Sequence, residues 1–214
     1  MRLLVAYLDR RLLESDRIPS FRAGFKQIGT ILWQLITKNE ENFHENDAPA
    51  ICMALFFTAE FDLFRREVAS TRLRFFEVVE ILFDRYMDII KIDLKAKFIS
   101  GLASLAAFEK EPSCLRAIFR LYEKIGQRWN PDKEECETMF NSFARYFPIT
   151  IRTLSPDPAV PSSEELKALL KKCWTSNSGY APLSFPKLIE LLDSNNDLRA
   201  DTKVECFLLL FYKY

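Results

Sequence analysis

The stretch that decides the fold begins at Phe140–Ile149, FNSFARYFPI. After a proline-rich gap it resumes at Ser162–Trp174, SSEELKALLKKCW, and Tyr180–Ser194, YAPLSFPKLIELLDS. One helix closes on Tyr146-Phe147-Pro148. A second opens at Ser162-Ser163-Glu164-Glu165, a capping box in which the Ser162 hydroxyl and the Glu165 carboxylate satisfy free backbone donors reciprocally. A third carries Pro182 and Pro186, four residues apart. The carbonyl that Pro186 leaves unpaired therefore lies in the first turn, where a proline bends or starts a helix rather than ending it. A fourth follows Asn195. Nothing in this stretch is arranged for chemistry; its residues are those that stack one helical hairpin on the next.

The same punctuation runs back through the chain. Leu3–Leu13 and Phe21–Ile36 form a first helix pair, with Pro19 as breaker and Ser20 as N-cap. Lys38–Asn46 is a polar loop. Asp47-Ala48-Pro49 starts the next helix with its proline in the first turn, where the missing N–H costs little. That helix covers Ala50–Arg66, with a break near Thr58. Thr71–Lys91 is the strongest helix: Leu73, Phe76, Val79, Phe83, Met87 and Ile90 recur at helical spacing, and Phe75, Val78, Leu82 and Ile89 fill a second apolar face. Glu77, Glu80, Asp84, Asp88 and Lys91 are left as one polar stripe, the pattern of a helix packed between neighbours. Phe98, Leu102 and Leu105 mark the following helix, whose Gly101, Ala103, Ala106 and Ala107 allow close approach. Phe108-Glu109-Lys110-Glu111-Pro112 turns the chain into a helix marked by Leu115, Ile118, Phe119, Tyr122, Ile125 and Trp129. Asn130-Pro131-Asp132 then supplies a cap, a first-turn proline and acids at the positive end of the next helix dipole. Cys136, Met139, Phe140, Phe143 and Phe147 form that helix's apolar stripe.

These pieces add up to about ten helices and no strand, with helix pairs recurring every ~35–45 residues, the range of HEAT and armadillo repeats. The expected fold is all-α, a HEAT/armadillo-type α-solenoid of stacked antiparallel helix pairs. One segment covers 1–214: N-terminal repeats over 1–70, central repeats over 71–147, a proline-rich connector over 148–161, and C-terminal repeats over 162–214. The connector, with Pro148, Pro156, Pro158 and Pro161, reads equally as a functional loop or as a stiff spacer. Cys206–Tyr214 ends in an apolar helix without a polar cap. Terminal repeats are ordinarily polar, so this end reads as one part of a longer array.

Composition narrows the function classes. The 214 residues are 49% hydrophobic and 28% charged, a globular composition. Nineteen phenylalanines stand against five glycines, and glycine supplies the positive-φ corners that hairpins and phosphate loops need. Thirty basic and thirty acidic residues cancel, leaving no basic surplus for nucleic acid. The apolar run Leu3–Leu8 is too short for a signal core or a membrane span, so a soluble intracellular protein is expected. Five cysteines (Cys52, Cys114, Cys136, Cys173 and Cys206) stand too far apart for a zinc or cluster motif, and read as buried apolar residues of a reducing compartment. His44 is the single histidine. No catalytic, cofactor-binding or metal-ligating residue is expected. Glu80, Asp84 and Asp88 are candidates for a protein-binding ridge, because like charges four apart on a helix repel mildly and a basic partner would relieve them. A solvated face carrying Arg85 and Lys91 reads the same pattern without a partner.

An ordered set of motifs resembles one family. Glu109-Lys110-Glu111-Pro112 with Leu115 comes first, then Tyr146-Phe147-Pro148-Ile149 and Asp157-Pro158. Ser163-Glu164 with Leu166, Leu169 and Leu170 follows, and finally Tyr180-Ala181-Pro182-Leu183 through Pro186, Leu188, Ile189, Leu192, Asp193 and Ser194, with Lys203 beyond. In this order they resemble the N-terminal HEAT region of the MMS-nineteen (Met-eighteen) family, the adaptors of cytosolic iron–sulfur protein assembly. The resemblance covers Phe75–Leu210 well and the first seventy residues poorly. It implies a non-enzymatic scaffold without a cofactor, in the nucleus and cytoplasm. Its implied partners are iron–sulfur assembly factors of a targeting complex and apo iron–sulfur client proteins, among them the TFIIH helicase, with neither nucleic acid nor membrane contacted directly. Repair and transcription would be served through client maturation. A generic HEAT scaffold of another pathway, such as a transport receptor or phosphatase scaffold, is the alternative that the fold alone leaves open.

Overall fold

The polar stripe and two apolar faces of the Thr71–Lys91 region become one long helix, Ala69–Leu94, with Phe75, Phe76, Val78, Val79, Leu82, Phe83 and Ile90 buried. The computed structural model describes residues 29–34, 36–37, 43–60, 62, 64–150, 159–194 and 202–204. The expected helix Leu3–Leu13, the Ser20 cap, most of the connector and the helix 206–214 lie outside them. No strand occurs among the described residues, and the all-α, HEAT-like class read from the sequence is borne out. The helices are α1 (Asp47–Glu60), α2 (Ala69–Leu94), α3 (Ala96–Ala106), α4 (Pro112–Arg128), α5 (Lys133–Ala144), α6 (Ser163–Thr175) and α7 (Ala181–Ser194). Residues 29–34 and 202–204 are also helical. The chain packs as two compact units, 1–117 and 118–214, divided within α4 and so inside the central segment drawn from the sequence.

In the first unit, α1 packs on both α2 and α3. The small residue Gly101 is what lets α3 approach: a Cβ there would lie 2.3 Å from Cδ2 of Phe56. Phe98 of α3 meets Phe56 at 5.6 Å and Phe83 at 6.0 Å between ring centroids, and such pairs add to plain area burial. The break expected near Thr58 falls slightly later. Helix α1 ends at Glu60, and a 3₁₀ turn, Phe64–Arg66, follows and buries Phe64 against Phe75 and Phe76. Helix α2 leaves helical geometry at Tyr86 (φ −128°) and stops at Lys95, whose φ of 49° cannot continue a right-handed helix.

In the second unit, α5, α6, α7 and the 3₁₀ turn Ser178–Tyr180 converge on an aromatic cluster. Trp174 lies 5.0 Å from Phe140 and 5.5 Å from Phe147, and Tyr180 lies 5.4 Å from Phe143. Buried hydroxyls find neutral partners, Tyr122 with Ser142 and Tyr180 with the Met139 sulfur. Asn177 ties the turn down, donating to the Gly126 carbonyl at 2.8 Å and accepting from the Gly179 N–H at 2.7 Å.

Two boundaries differ from expectation. Helix α5 closes at Ala144, and the N–H groups of Tyr146 and Phe147 make turn bonds back to Phe143 and Ala144; Phe147 joins the core from beyond the helix. Its N-cap is Asp132, not Asn130. Asp132 accepts from the Glu135 N–H while Glu135 accepts from the Asp132 N–H. Asn130 instead adopts φ 53° to end the preceding turn, and Pro131 precedes the cap rather than entering the helix. At α6 the serine half of the expected capping box is where the sequence puts it, with Ser162 Oγ accepting from the Glu165 N–H at 3.1 Å.

Candidate interaction surface

The acidic candidates share α2. Glu80 is half-buried, and Asp84 and Asp88 are exposed. Their surroundings are already populated: Arg74 pairs with Glu77 at 2.7 Å, Arg85 donates to the Ile36 carbonyl, and neither Glu80 nor Asp84 is without a partner. The stripe is thus a line of carboxylates along one helix, each with its own local environment.

The cysteines are brought inside. Cys52, Cys114, Cys136 and Cys173 are all free and buried, and Cys206 lies outside the described residues. Cys173 donates to the Phe119 carbonyl at 3.1 Å and Cys114 to the Ala69 carbonyl at 3.5 Å. Burial pushes the Cys52, Cys114 and Cys173 thiols well above their ordinary range, with the nearby Glu109 adding to the effect at Cys114 and Glu123 at Cys173. Among the described residues no group of three His, Cys, Asp or Glu side chains could hold a metal ion, and His44 is exposed. No helix among them is long and apolar enough to cross a membrane.

The α3–α4 turn, whose Glu109-Lys110-Glu111-Pro112 motif stands out in the sequence, holds a contact that the sequence does not announce. Glu109 is buried, and its carboxylate accepts from Arg72 Nε at 2.7 Å and Nη2 at 2.9 Å, and from the N–H groups of Lys110 and Glu111, each at 2.9 Å. Burial alone would raise its pKa, but the guanidinium and the two N–H groups outweigh burial and hold the carboxyl below its ordinary range. Arg72 also donates to the Glu67 carbonyl. This latch joins the start of α2 to the turn 37 residues later, and beside it opens a cavity of about 210 Å³. Spacing could not announce the pair. Glu109 reads as one turn acid among several, and Arg72 as one more base near a helix start.

Comparison with known proteins places the chain. The family model described as "Dos2-interacting transcription regulator of RNA-Pol-II", the MMS19 N-terminal model, matches residues 1–211. The DNA repair/transcription protein mms19 of Schizosaccharomyces pombe is 30% identical over 159 residues, covering 73% of this chain and 15% of its own length. The MMS19 nucleotide excision repair protein homolog of Dictyostelium discoideum is 29% identical, with 64% and 12% covered. The MMS19 nucleotide excision repair protein of Drosophila melanogaster is 28% identical, with 60% and 13% covered. The chain therefore spans 12 to 15% of the length of these relatives. No solved structure matches it. With the model match running over nearly every residue, the chain belongs to the MMS19 family and corresponds to that family's N-terminal region.

Proposed function

We propose that this chain is a non-enzymatic scaffold segment that serves DNA repair and transcription by helping to present apo iron–sulfur proteins to the cytosolic cluster-assembly machinery. The observation that carries the reading is the family match over residues 1–211, joined to relatives whose names state repair and transcription. The ordered motifs from Tyr146 to Ser194 support the iron–sulfur part, since a generic helical array has no reason to carry them in that order. The burial of the described thiols fits a protein that handles clients rather than clusters. Its partners would be assembly factors of the targeting complex and apo iron–sulfur clients in nucleus and cytoplasm, with nucleic acid reached only through those clients.

The test is affinity purification from cell extract with the folded chain as bait, read by quantitative mass spectrometry. Enrichment of assembly factors or apo iron–sulfur enzymes over an unrelated helical bait is expected. If neither this bait nor one extended through the remaining repeats enriches them, the reading fails. Transport or phosphatase subunits in their place would assign the scaffold to another pathway.

A further inference from the structure

We infer that the α3–α4 turn is a docking point for an acidic protein segment with an apolar anchor residue, organised around Phe108. Helix α3 ends at Ala106, Ala107 caps it, and Phe108 follows in the left-handed region at φ 65°. That position is ordinarily taken by glycine or asparagine, because other residues are strained there. Yet the residue in place is a phenylalanine that leaves 68% of its surface in water. The ring gains little from the core, and the backbone under it is unfavourable. Strain of this kind persists where the surrounding structure over-determines it, and it gathers at binding sites.

The surroundings do over-determine it. Glu109, the next residue, is locked by four donors from Arg72, Lys110 and Glu111, so the ring stands on a rigid pedestal and needs little ordering on binding. Arg65 lies 4.8 Å from the ring centroid. Phenylalanine and arginine are both enriched at protein interfaces. The adjoining cavity of about 210 Å³ has an apolar floor from Phe64, Leu105 and Ala107. It is smaller than the ~300–1,000 Å³ of small-molecule sites and suits one inserted side chain.

Charge selects the occupant. Arg65, Arg72 and Lys110 line the cavity with Glu109; Arg72 and Glu109 neutralise each other in the latch, which leaves Arg65 and Lys110 as the cations at the mouth. Asp62 holds Arg65 at 2.8 Å from outside the cavity, but both partners are exposed, and an exposed pair exchanges readily for another carboxylate. The mouth thus favours aspartate or glutamate flanking a large apolar residue. This inference rests on the scaffold part of the function proposed above and not on its iron–sulfur part, so affinity purification and the following experiment can fail separately.

The test pans a random-peptide display library on the full chain, with depletion on the Phe108→Asn variant. Recovered peptides are expected to carry acids around a leucine or an aromatic. Fluorescein-labelled copies should bind at least about tenfold more weakly to Phe108→Asn and to Arg65→Glu, and more weakly as salt rises. The thermal midpoint of Phe108→Asn should hold or rise, since asparagine tolerates the left-handed region. Basic or uncharged peptides, peptides that bind both variants unchanged, or no recovered peptide would overturn the assignment. So would a lowered midpoint in Phe108→Asn, which would make the ring structural. A chain dimer that this variant dissociates would give the surface to self-association instead.

Discussion

The two units secure their turns by different physics. In the first, the α3–α4 turn is held by a buried ion pair, Arg72 with Glu109, whose oxygens are filled by further donors. In the second, the turn after α6 is held by neutral groups: the Asn177 amide, the Tyr180 hydroxyl on the Met139 sulfur, and the Tyr180 ring packed on Phe143. Burying a charge has a large desolvation cost that only a complete set of partners offsets, whereas an aromatic cluster depends on filled volume. The first arrangement should therefore respond to charge and pH, and the second to size.

The largest effect is expected where volume matters most. Trp174→Ala should cost about 3–5 kcal/mol in guanidinium denaturation, because Phe140, Phe143 and Phe147 all face the ring. A loss below that of any charge variant would reverse the comparison. Next, Arg72→Leu should cost about 3 kcal/mol by stranding Glu109, while the double replacement Arg72→Leu with Glu109→Leu should recover most of it. A double variant as weak as the single one would mean that the guanidinium's bond to the Glu67 carbonyl, not the pair, holds the turn.

The same latch sets a pH response. The folded pKa of Glu109 lies below its ordinary value of 4.5, so its stabilisation is complete above that value. It is lost as pH falls from there through the lower folded value. The difference in urea stability between wild type and Glu109→Gln should shrink over that interval, and a difference independent of pH would refute the ionic account. Gly101→Ala should then cost about 2 kcal/mol in the same denaturation assay, because its Cβ would meet the Phe56 ring and the Phe56 Cβ. Smallest is Ser162→Ala, at about 1 kcal/mol for one lost helix cap, read as a lowered thermal midpoint.

What could be read in advance follows the range of each interaction. The Ser162 cap is legible because a serine hydroxyl and the backbone N–H three residues later lie on one helical turn, and the burial of α2 because its apolar periodicity survives in the sequence. The cap of α5 was misplaced by two residues, since Asn130-Pro131 imitates the signal that Asp132 and Glu135 carry. Gly101 was read correctly as a point of close approach, although its neighbour Phe56 was not predictable. The Arg72–Glu109 latch was invisible because its partners belong to different elements. Phe108 was invisible for a sharper reason. Left-handed backbone is inferred from glycine and asparagine, and a phenylalanine there gives no warning.

The buried thiols also make the protein its own stopwatch. Cys52 lies in the first unit and Cys173 in the second, each fully enclosed. An alkylating reagent can reach either one only when its surroundings open. Under native conditions the labelling of each therefore reports how often that half of the chain breathes, residue by residue in a mass spectrum, with no probe attached and no denaturant added.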